Sequence, residues 1–211
     1  MNDYDFIYKI ILCGDSVGKT SFLNRYIDNN FIDNPSPTIN LDFCYKVIEL
    51  EDGKKVKLRI WDIPGQDDFP SNARGYFKGA HGIILFYDIS NRESFKNLEY
   101  WLDLINNSIS ESPHIVLVGN KIDLEKERKI TAKEGEEFAK NKGLLFFESS
   151  AKTGKNVDLI FMELVKDMNK DPVFQKIQEK LKKQRIKEKE EKEREENWKK
   201  NQKIIYKYIS F

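Results

Sequence analysis

The sequence predicts an α/β fold in three layers, in which a six-stranded, mostly parallel sheet lies between two layers of helices. Strand-like and helix-like patterns alternate along residues 4–170, and no linker rich in proline or glycine divides them. Four of the six predicted strands are continuous apolar runs, as expected for strands covered on both faces. We therefore expect one domain over residues 1–170, followed by a charged, helical or partly disordered tail over residues 171–211.

The strands are predicted from apolar runs and from the turn residues that bound them. They cover Phe6–Cys13, Leu41–Leu50, Lys55–Trp61, Gly82–Tyr87, His114–Val118 and Leu144–Phe147. The segment Glu51-Asp52-Gly53-Lys54 joins the second and third strands and predicts a hairpin. The second strand should therefore be the one antiparallel edge strand of the sheet.

Helical spacing of apolar residues predicts the helices between these strands. They cover Ser21–Ile27, Glu93–Asn107, Ala132–Lys142 and Val157–Met168. Ser90 with Glu93, and Thr131 with Glu134, have the spacing of capping boxes and predict the starts of the second and third helices. In open sheets of this kind ligands bind beyond the carboxyl ends of the strands, so the loops there are the candidate sites.

Composition and charge exclude several classes of protein. The net charge of the 211 residues is +1, but residues 176–211 hold 13 Lys and Arg against 7 Glu, a net of +6. Cys13 and Cys44 are the only cysteines, which is too few for a disulfide framework. No apolar run reaches membrane-spanning length, and the N-terminus lacks the features of a signal peptide. We expect a cytoplasmic protein, or one held peripherally on an intracellular membrane, with no nucleic-acid partner.

A short loop bounded by glycines follows the first predicted strand. The stretch Gly14-Asp15-Ser16-Val17-Gly18-Lys19-Thr20-Ser21 has the composition of a phosphate-binding loop, whose N–H groups wrap a phosphate at a helix N-terminus. The lysine would add positive charge, and the threonine hydroxyl would coordinate Mg²⁺. The usual pattern has about four residues between its glycines, but Gly14 and Gly18 enclose three, so the loop is one residue short. On this stretch alone, a chance Gly-Lys-Thr is the alternative.

The loop after the third predicted strand carries groups suited to phosphate chemistry. Asp62 suits a water-mediated contact with Mg²⁺, the N–H of Gly65 can reach a γ-phosphate, and Gln66 can orient a water. The alternative for this segment is a plain turn, since Pro-Gly alone marks one.

Two further loops carry groups that complement guanine. Asn120-Lys121-Ile122-Asp123 follows the fifth strand, and Asp123 can accept hydrogen bonds from the guanine N1–H and amine, which adenine cannot offer. In Ser149-Ser150-Ala151-Lys152, a backbone N–H can contact the guanine carbonyl oxygen. Thr38 could be a second protein ligand of Mg²⁺. Phe31 could lie against the base, although a lone loop phenylalanine is more often a packing anchor.

These motifs, in this order and at these separations, resemble the Ras superfamily of small GTPases. Within it the chain is similar to the Rab proteins, through Ile39–Phe43, Val56–Asp62 and Tyr76–Ile84. The resemblance spans residues 6–168 and implies the small-GTPase form of the P-loop NTPase fold. It also implies GTP or GDP and Mg²⁺ as cofactors, and hydrolysis of GTP to GDP and phosphate.

The resemblance assigns a role to each candidate residue. Gln66 and Lys19 are expected to be catalytic. Thr20, Thr38 and Asp62 are expected to hold Mg²⁺. The residues expected to contact the nucleotide are Asp15, Ser16, Val17, Gly18, Lys19, Thr20, Ser21, Phe31, Thr38, Gly65, Asn120, Lys121, Asp123, Ser150, Ala151 and Lys152.

The resemblance further implies a molecular switch. Residues 31–43 and 64–79 would be ordered by the γ-phosphate and Mg²⁺ and released after hydrolysis. Phe43, Trp61 and Tyr76 would form a surface read by effectors in vesicle traffic, although core packing is the alternative for these aromatics. Exchange factors and activating proteins would be the other partners.

Four departures from the family pattern qualify this interpretation. Asn40 stands where the Rab proteins carry glycine. The phosphate loop lacks the glycine expected before Val17, and Pro64 fixes φ beside Gly65, which must pivot between states. The final segment Tyr208-Ile209-Ser210-Phe211 contains no cysteine, so we expect no prenylation. We therefore expect slow hydrolysis, with a pseudo-GTPase interaction scaffold as the alternative. The tail would dock on a membrane or a protein partner, or would only solubilise the chain.

Overall fold

The computed structural model describes residues 4–32, 42–65, 74–109 and 113–209. Its six strands are β1 Phe6–Cys13, β2 Asp42–Glu49, β3 Lys55–Asp62, β4 Gly82–Asp88, β5 His114–Asn120 and β6 Leu145–Glu148. They form one sheet in the order β2-β3-β1-β4-β5-β6, in which only β2 and β3 pair antiparallel. The predicted sheet with its antiparallel edge strand is confirmed.

The described helices alternate with these strands. They are α1 Lys19–Asp28, α2 Arg74–Phe77, α3 Arg92–Lys96, α4 Leu98–Asn106, α5 Ala132–Lys142, α6 Val157–Lys170 and α7 Pro172–Ile209. A 3-10 helix covers Ile122–Glu127. Neither α2 nor the 3-10 helix was predicted, because segments this short carry no readable apolar period.

One predicted helix start is wrong and another is confirmed. The helix predicted over Glu93–Asn107 is divided into α3 and α4, and its cap is Asn91, whose side chain accepts a hydrogen bond from the Glu93 N–H. The Ser90 hydroxyl instead donates to the carboxylate of Asp88 at 2.7 Å, and Asn91 occupies the cap position. At α5 the reciprocal bonds between Thr131 and Glu134 form the predicted capping box.

Strand β4 shows how the three layers are built. All seven of its residues are buried, and successive side chains point to opposite faces. Phe86 packs on Phe22 of α1, with ring centroids 4.9 Å apart. Tyr87 points the other way and packs on Phe95 of α3, with centroids 5.0 Å apart. Helices on both faces therefore explain the continuous apolar runs of the sequence.

The order of the strands determines where a ligand can bind. In the sheet, β1 lies between β3 and β4. The connections that follow β1 and β3 therefore run to different sides at this point. Such a point leaves a crevice at the carboxyl edge of the sheet. The glycine-rich loop after β1 lies at this crevice.

Residues 1–170 and residues 171–211 form two compact units. In the second unit, the Asp171 carboxylate accepts hydrogen bonds from the N–H groups of Val173 (2.8 Å) and Phe174 (3.2 Å), which caps α7. Pro172 occupies the first helical position, where no N–H is needed. No helix in the described part of the chain is both long enough and apolar enough to cross a membrane.

Gly135 in α5 allows a packing prediction. A Cβ atom built there would overlap the hydroxyl of Tyr87 and would lie 2.7 Å from the Phe146 ring. Replacing a helical glycine by alanine usually stabilises by about 1 kcal/mol. We expect Gly135→Ala instead to lower the free energy of unfolding by about 1–3 kcal/mol, because overpacking displaces buried rings.

Denaturant-induced unfolding measures this change. The control is Gly75→Ala in α2, where an added Cβ would meet no described atom within 4 Å. A Gly135→Ala protein as stable as the parent would contradict the observed packing.

Candidate functional site

The loop between β1 and α1 is held by contacts from a distant part of the chain. Gly18 is the N-cap residue of α1 and has φ of 81°. A Cβ added there would lie 3.3 Å from the side-chain nitrogen of Asn120 and 3.6 Å from the side chain of Lys121. Both the left-handed backbone and this close approach favour glycine.

Lys19 gives this loop a buried positive charge. Its side chain is 6% exposed, and its Nζ donates to the carbonyl of Gly14 at 2.5 Å. Burial lowers the pKa of Lys19 below its ordinary value, while the nearby Asp62 carboxylate opposes that shift. An anion bound at the N-terminus of α1 would stabilise the charged amine.

Thr20 and Asp62 supply oxygen atoms beside this lysine. The hydroxyl of Thr20, at the start of α1, donates to Oδ2 of Asp62, the fully buried last residue of β3. Hydroxyl and carboxylate oxygens are the hard ligands that Mg²⁺ prefers, so the two residues fit that ion. Thr38, the other predicted ligand, lies outside the described residues.

Asn120 joins the loop to the next strands of the sheet. Its buried side chain donates from Nδ2 to the carbonyl of Val17 at 2.9 Å. Its Oδ1 accepts a hydrogen bond from the hydroxyl of Ser149 at 3.0 Å. One amide therefore links the ends of β1, β5 and β6.

Lys121 and Asp123 are held by neighbouring side chains. Nζ of Lys121 lies 2.7 Å from the carboxylate of Asp88 and 3.4 Å from the carbonyl of Ser16. The exposed carboxylate of Asp123 accepts a hydrogen bond from the Ser150 hydroxyl at 2.6 Å. This bond fixes the position of a carboxylate that solvent or a ligand can reach.

The segment that contains Ala151 and Lys152 is tied to α1 by an arginine. Nε of Arg25 donates to the carbonyl of Ala151, and Nη2 donates to the carbonyl of Lys152, both at 2.8 Å. Sequence reasoning missed Arg25, because an arginine on a helix gives no specific signal. It also missed Asp88, although its position as a carboxylate at the end of a strand was a signal that could have identified it.

The remaining predicted residues differ in their placement. Val17 and Ser21 are buried, so at Val17 the backbone is the part available to a ligand. Gly65 lies against the loop, since a Cβ built on it would be 3.5 Å from Oδ1 of Asp15. No hydrogen bond or ring contact in the described residues joins Phe31 to the site. Gln66 lies outside the described residues.

An aromatic group lies beside the site on β2 and β3. The rings of Phe43 and Trp61 are 4.8 Å apart, and Phe43 is 44% exposed. Nζ of Lys9 lies 5.3 Å from the Trp61 ring and donates to the carbonyl of Tyr76 at 2.6 Å. Phe43 and Trp61 are therefore neighbours on the sheet, and Lys9 connects Trp61 to the backbone of Tyr76 in α2.

Comparison with known proteins gives a family for this arrangement. Residues 9–170 match the model of the Ras family. The chain is 44% identical to the human Ras-related protein Rab-12 over 168 residues, which is 79% of this chain and 68% of Rab-12. It is 40% identical to the bovine Ras-related protein Rab-13 over 166 residues, 78% of this chain and 81% of Rab-13.

A plant protein gives a similar match. The chain is 42% identical to the GTP-binding protein YPTM1 of Zea mays over 164 residues, covering 77% of this chain and 78% of that protein. The match to the family model runs from within β1 to the end of α6 and so includes the loops described above. The chain therefore belongs to the Ras family of small GTPases, and within that family it is a Rab-like protein.

Proposed function

We propose that this chain is a GTP/GDP switch that hydrolyses GTP slowly and acts in vesicle traffic through effector binding. The single observation that carries the proposal is the bond from Asn120 to the Val17 carbonyl. It links a loop suited to phosphates with a loop suited to guanine. Family membership supports the same conclusion.

Each residue at the phosphate end of the site has a role in this proposal. Lys19 contacts the β- and γ-phosphates, since its buried amine is the nearest positive charge at the start of α1. Thr20 and Thr38 would coordinate Mg²⁺, and Asp62 would hold the ion through a water. The N–H of Gly65 contacts the γ-phosphate, and Gln66 orients the attacking water. Magnesium supplies charge that stabilises the phosphate oxygens.

The base end of the site selects guanine. Asp123 accepts two hydrogen bonds from the guanine edge, while Asn120 and Lys121 hold the loop in place. A backbone N–H within Ser150–Lys152 contacts the guanine carbonyl oxygen, and Phe31 lies against the base. The bonds from Ser150 to Asp123 and from Arg25 to the backbone of that segment support this arrangement.

The same proposal includes effector recognition and location. The surface that effectors read includes the exposed Phe43 and the half-buried Trp61 and Tyr76. The protein works in the cytoplasm or at the periphery of an intracellular membrane, where α7 docks the chain. The net charge of +6 over residues 176–211 and the apolar residues near the end of the chain support that role.

A second candidate, a pseudo-GTPase scaffold, is favoured by one feature of the loop. Ser16, a residue other than glycine, has φ of 52°, which is a strained backbone region. Denaturing the purified protein and identifying the released nucleotide separates the two functions. Guanine nucleotide at about one per chain supports the switch, and no nucleotide supports the scaffold.

The first prediction from this proposed function concerns the choice of base. A site built around hydrogen bonds rejects a ligand that lacks them by about 10⁴-fold, so GTP should bind that much more tightly than ATP. Asp123→Asn should shift the preference toward xanthine nucleotides, because the amide donates where the carboxylate accepts. Competition binding with the three nucleotides measures both effects.

The matched control is Asp103→Asn, which removes an exposed carboxylate from α4. It should keep the preference for guanine. Equal affinity of the parent chain for ATP and GTP would refute the assignment of Asp123.

The second prediction concerns the shortened loop. We expect one backbone donor near the bridge between the β- and γ-phosphates to be missing or displaced. Inserting a glycine between Ser16 and Val17 should therefore raise affinity or turnover about 10- to 100-fold, since a hydrogen bond to a charged group contributes about 1.5–3 kcal/mol. Nucleotide affinity and single-turnover hydrolysis measure the change.

A glycine inserted between Asp52 and Gly53, in the exposed turn of the hairpin, is the control for the insertion itself. If the loop insertion leaves both binding and turnover unchanged or lower, the loop provides its donors through another geometry and the explanation is wrong.

The third prediction concerns the tail. Truncation after Asp171 should leave GTP binding intact and abolish localisation in cells. Replacing Ile204, Ile205 and Phe211 by serine, which preserves the charge, should have the same effect, because the interspersed glutamates weaken purely electrostatic docking. Fluorescence microscopy of tagged chains makes the comparison. If the full-length chain is as diffuse in cells as the truncated one, the prediction is wrong and the tail only solubilises the chain.

A further inference from the structure

The carboxylate of Asp15 is held by two donors from outside the phosphate loop. Its Oδ2 accepts a hydrogen bond from Nδ2 of Asn97 at 3.0 Å and another from Nε1 of Trp101 at 3.1 Å. Asn97 lies at the junction of α3 and α4, and Trp101 lies one turn later on α4. The two donors converge on the same oxygen from one helix.

A carboxylate in a loop that binds phosphate needs such restraint. Its negative charge repels a phosphate, and it competes with the phosphate for Lys19. Burial lowers the pKa of Lys19, and the charge of Asp62 and, less strongly, that of Asp15 oppose this shift. Two N–H donors that hold Oδ2 on the α4 side reduce both effects.

The other carboxylate oxygen, Oδ1 of Asp15, lies close to Gly65. A Cβ built on Gly65 would lie 3.5 Å from Oδ1 of Asp15 and 3.9 Å from the backbone nitrogen of Ser16. The carboxylate therefore lies between α4 and Gly65, three residues beyond the end of β3. Its position affects the space available to Gly65 as well as the charge near Lys19.

Core packing alone does not explain Trp101. The indole is fully buried in the cluster that contains Leu98, Leu102 and Ile105, so its ring stabilises the core in any case. Burial of the ring does not determine where the N–H points, and here it points at the loop. Nor does core packing explain why Asn97, which is only half-buried, donates to the same oxygen.

We propose that Asn97 and Trp101 are positioning residues for the phosphate loop, and that by holding Asp15 on the α4 side they slow the release of nucleotide. This inference rests on the proposed guanine-nucleotide function. It assigns to α4 a direct influence on nucleotide retention.

The test is the rate at which the purified full-length chain releases fluorescently labelled GDP. Trp101→Phe keeps an aromatic ring and removes the donor. We expect release about tenfold faster, as for the loss of one hydrogen bond to a charged group. Asn97→Asp, a nearly isosteric change that places a second carboxylate against Asp15, should also accelerate release. If Trp101→Phe does not fold, Asn97→Asp provides the test.

The matched control is Tyr100→Phe, which removes a hydroxyl from the exposed face of α4. Its release rate should equal that of the parent.

Combining each change with Asp15→Asn separates positioning from packing. If Asn97 and Trp101 act by restraining a charge, then Trp101→Phe in the Asp15→Asn background should release GDP within about twofold of Asp15→Asn alone, since coupled residues are not additive. A tenfold defect that persists in that background would assign Trp101 to packing and overturn the inference.

The remaining outcomes are also decisive. A parent that retains GDP while Trp101→Phe and Asn97→Asp release it at the parent rate would overturn this inference and leave the proposed function intact. A parent that does not bind GDP would refute the proposed function and this inference with it.

Discussion

The hydrogen bonds of the Asn120 side chain are the interaction on which the rest of the site depends. The amide is fully buried and links the Val17 carbonyl to the Ser149 hydroxyl. A buried amide without partners costs about 1–3 kcal/mol, so these loops keep their spacing only together. The bonds exist because β5 and β6 pair in parallel, which brings their carboxyl ends to the same edge as the end of β1.

Electrostatics imposes the second constraint at this edge. Three carboxylates lie close to a site suited to phosphates, and each is engaged by a donor: Asp62 by Thr20, Asp88 by Lys121, and Asp15 by Asn97 and Trp101. These donors fix where the negative charges lie relative to Lys19 and to the N–H groups at the start of α1, whose partial positive charges favour an anion.

The shortened loop has to connect two elements whose positions are fixed elsewhere. Strand β1 is paired on both sides, to β3 and β4. Helix α1 is held by the stacking of Tyr26 on Phe161 of α6, with ring centroids 3.7 Å apart. Neither can move to absorb a missing residue, so the strain appears within the loop, where Ser16 has a positive φ.

The sequence by itself determined the sheet, the order of its elements and the family. Apolar runs defined β1 and β4 to within one residue, because strands buried on both faces leave little choice of register. Short-range motifs selected Lys19, Asn120 and Asp123 as candidates, because their spacing along the chain is itself the signal. The same local reasoning wrongly chose Ser90 as the helix cap. Ser90 and Asn91 are adjacent polar residues, and only the structure shows that Ser90 donates to Asp88 while Asn91 caps the helix.

Only the tertiary structure decided how the motifs contact one another. Arg25 reaches the carbonyls of Ala151 and Lys152 across more than a hundred residues of sequence, and Trp101 reaches Asp15 across 86. Such pairs leave no local pattern, because the partner of a hydrogen bond is set by the packing of helices on the sheet. The sequence determined which chemical groups the site contains, and the packing of α1 and α4 on the sheet decided which of them hold the phosphate loop in place.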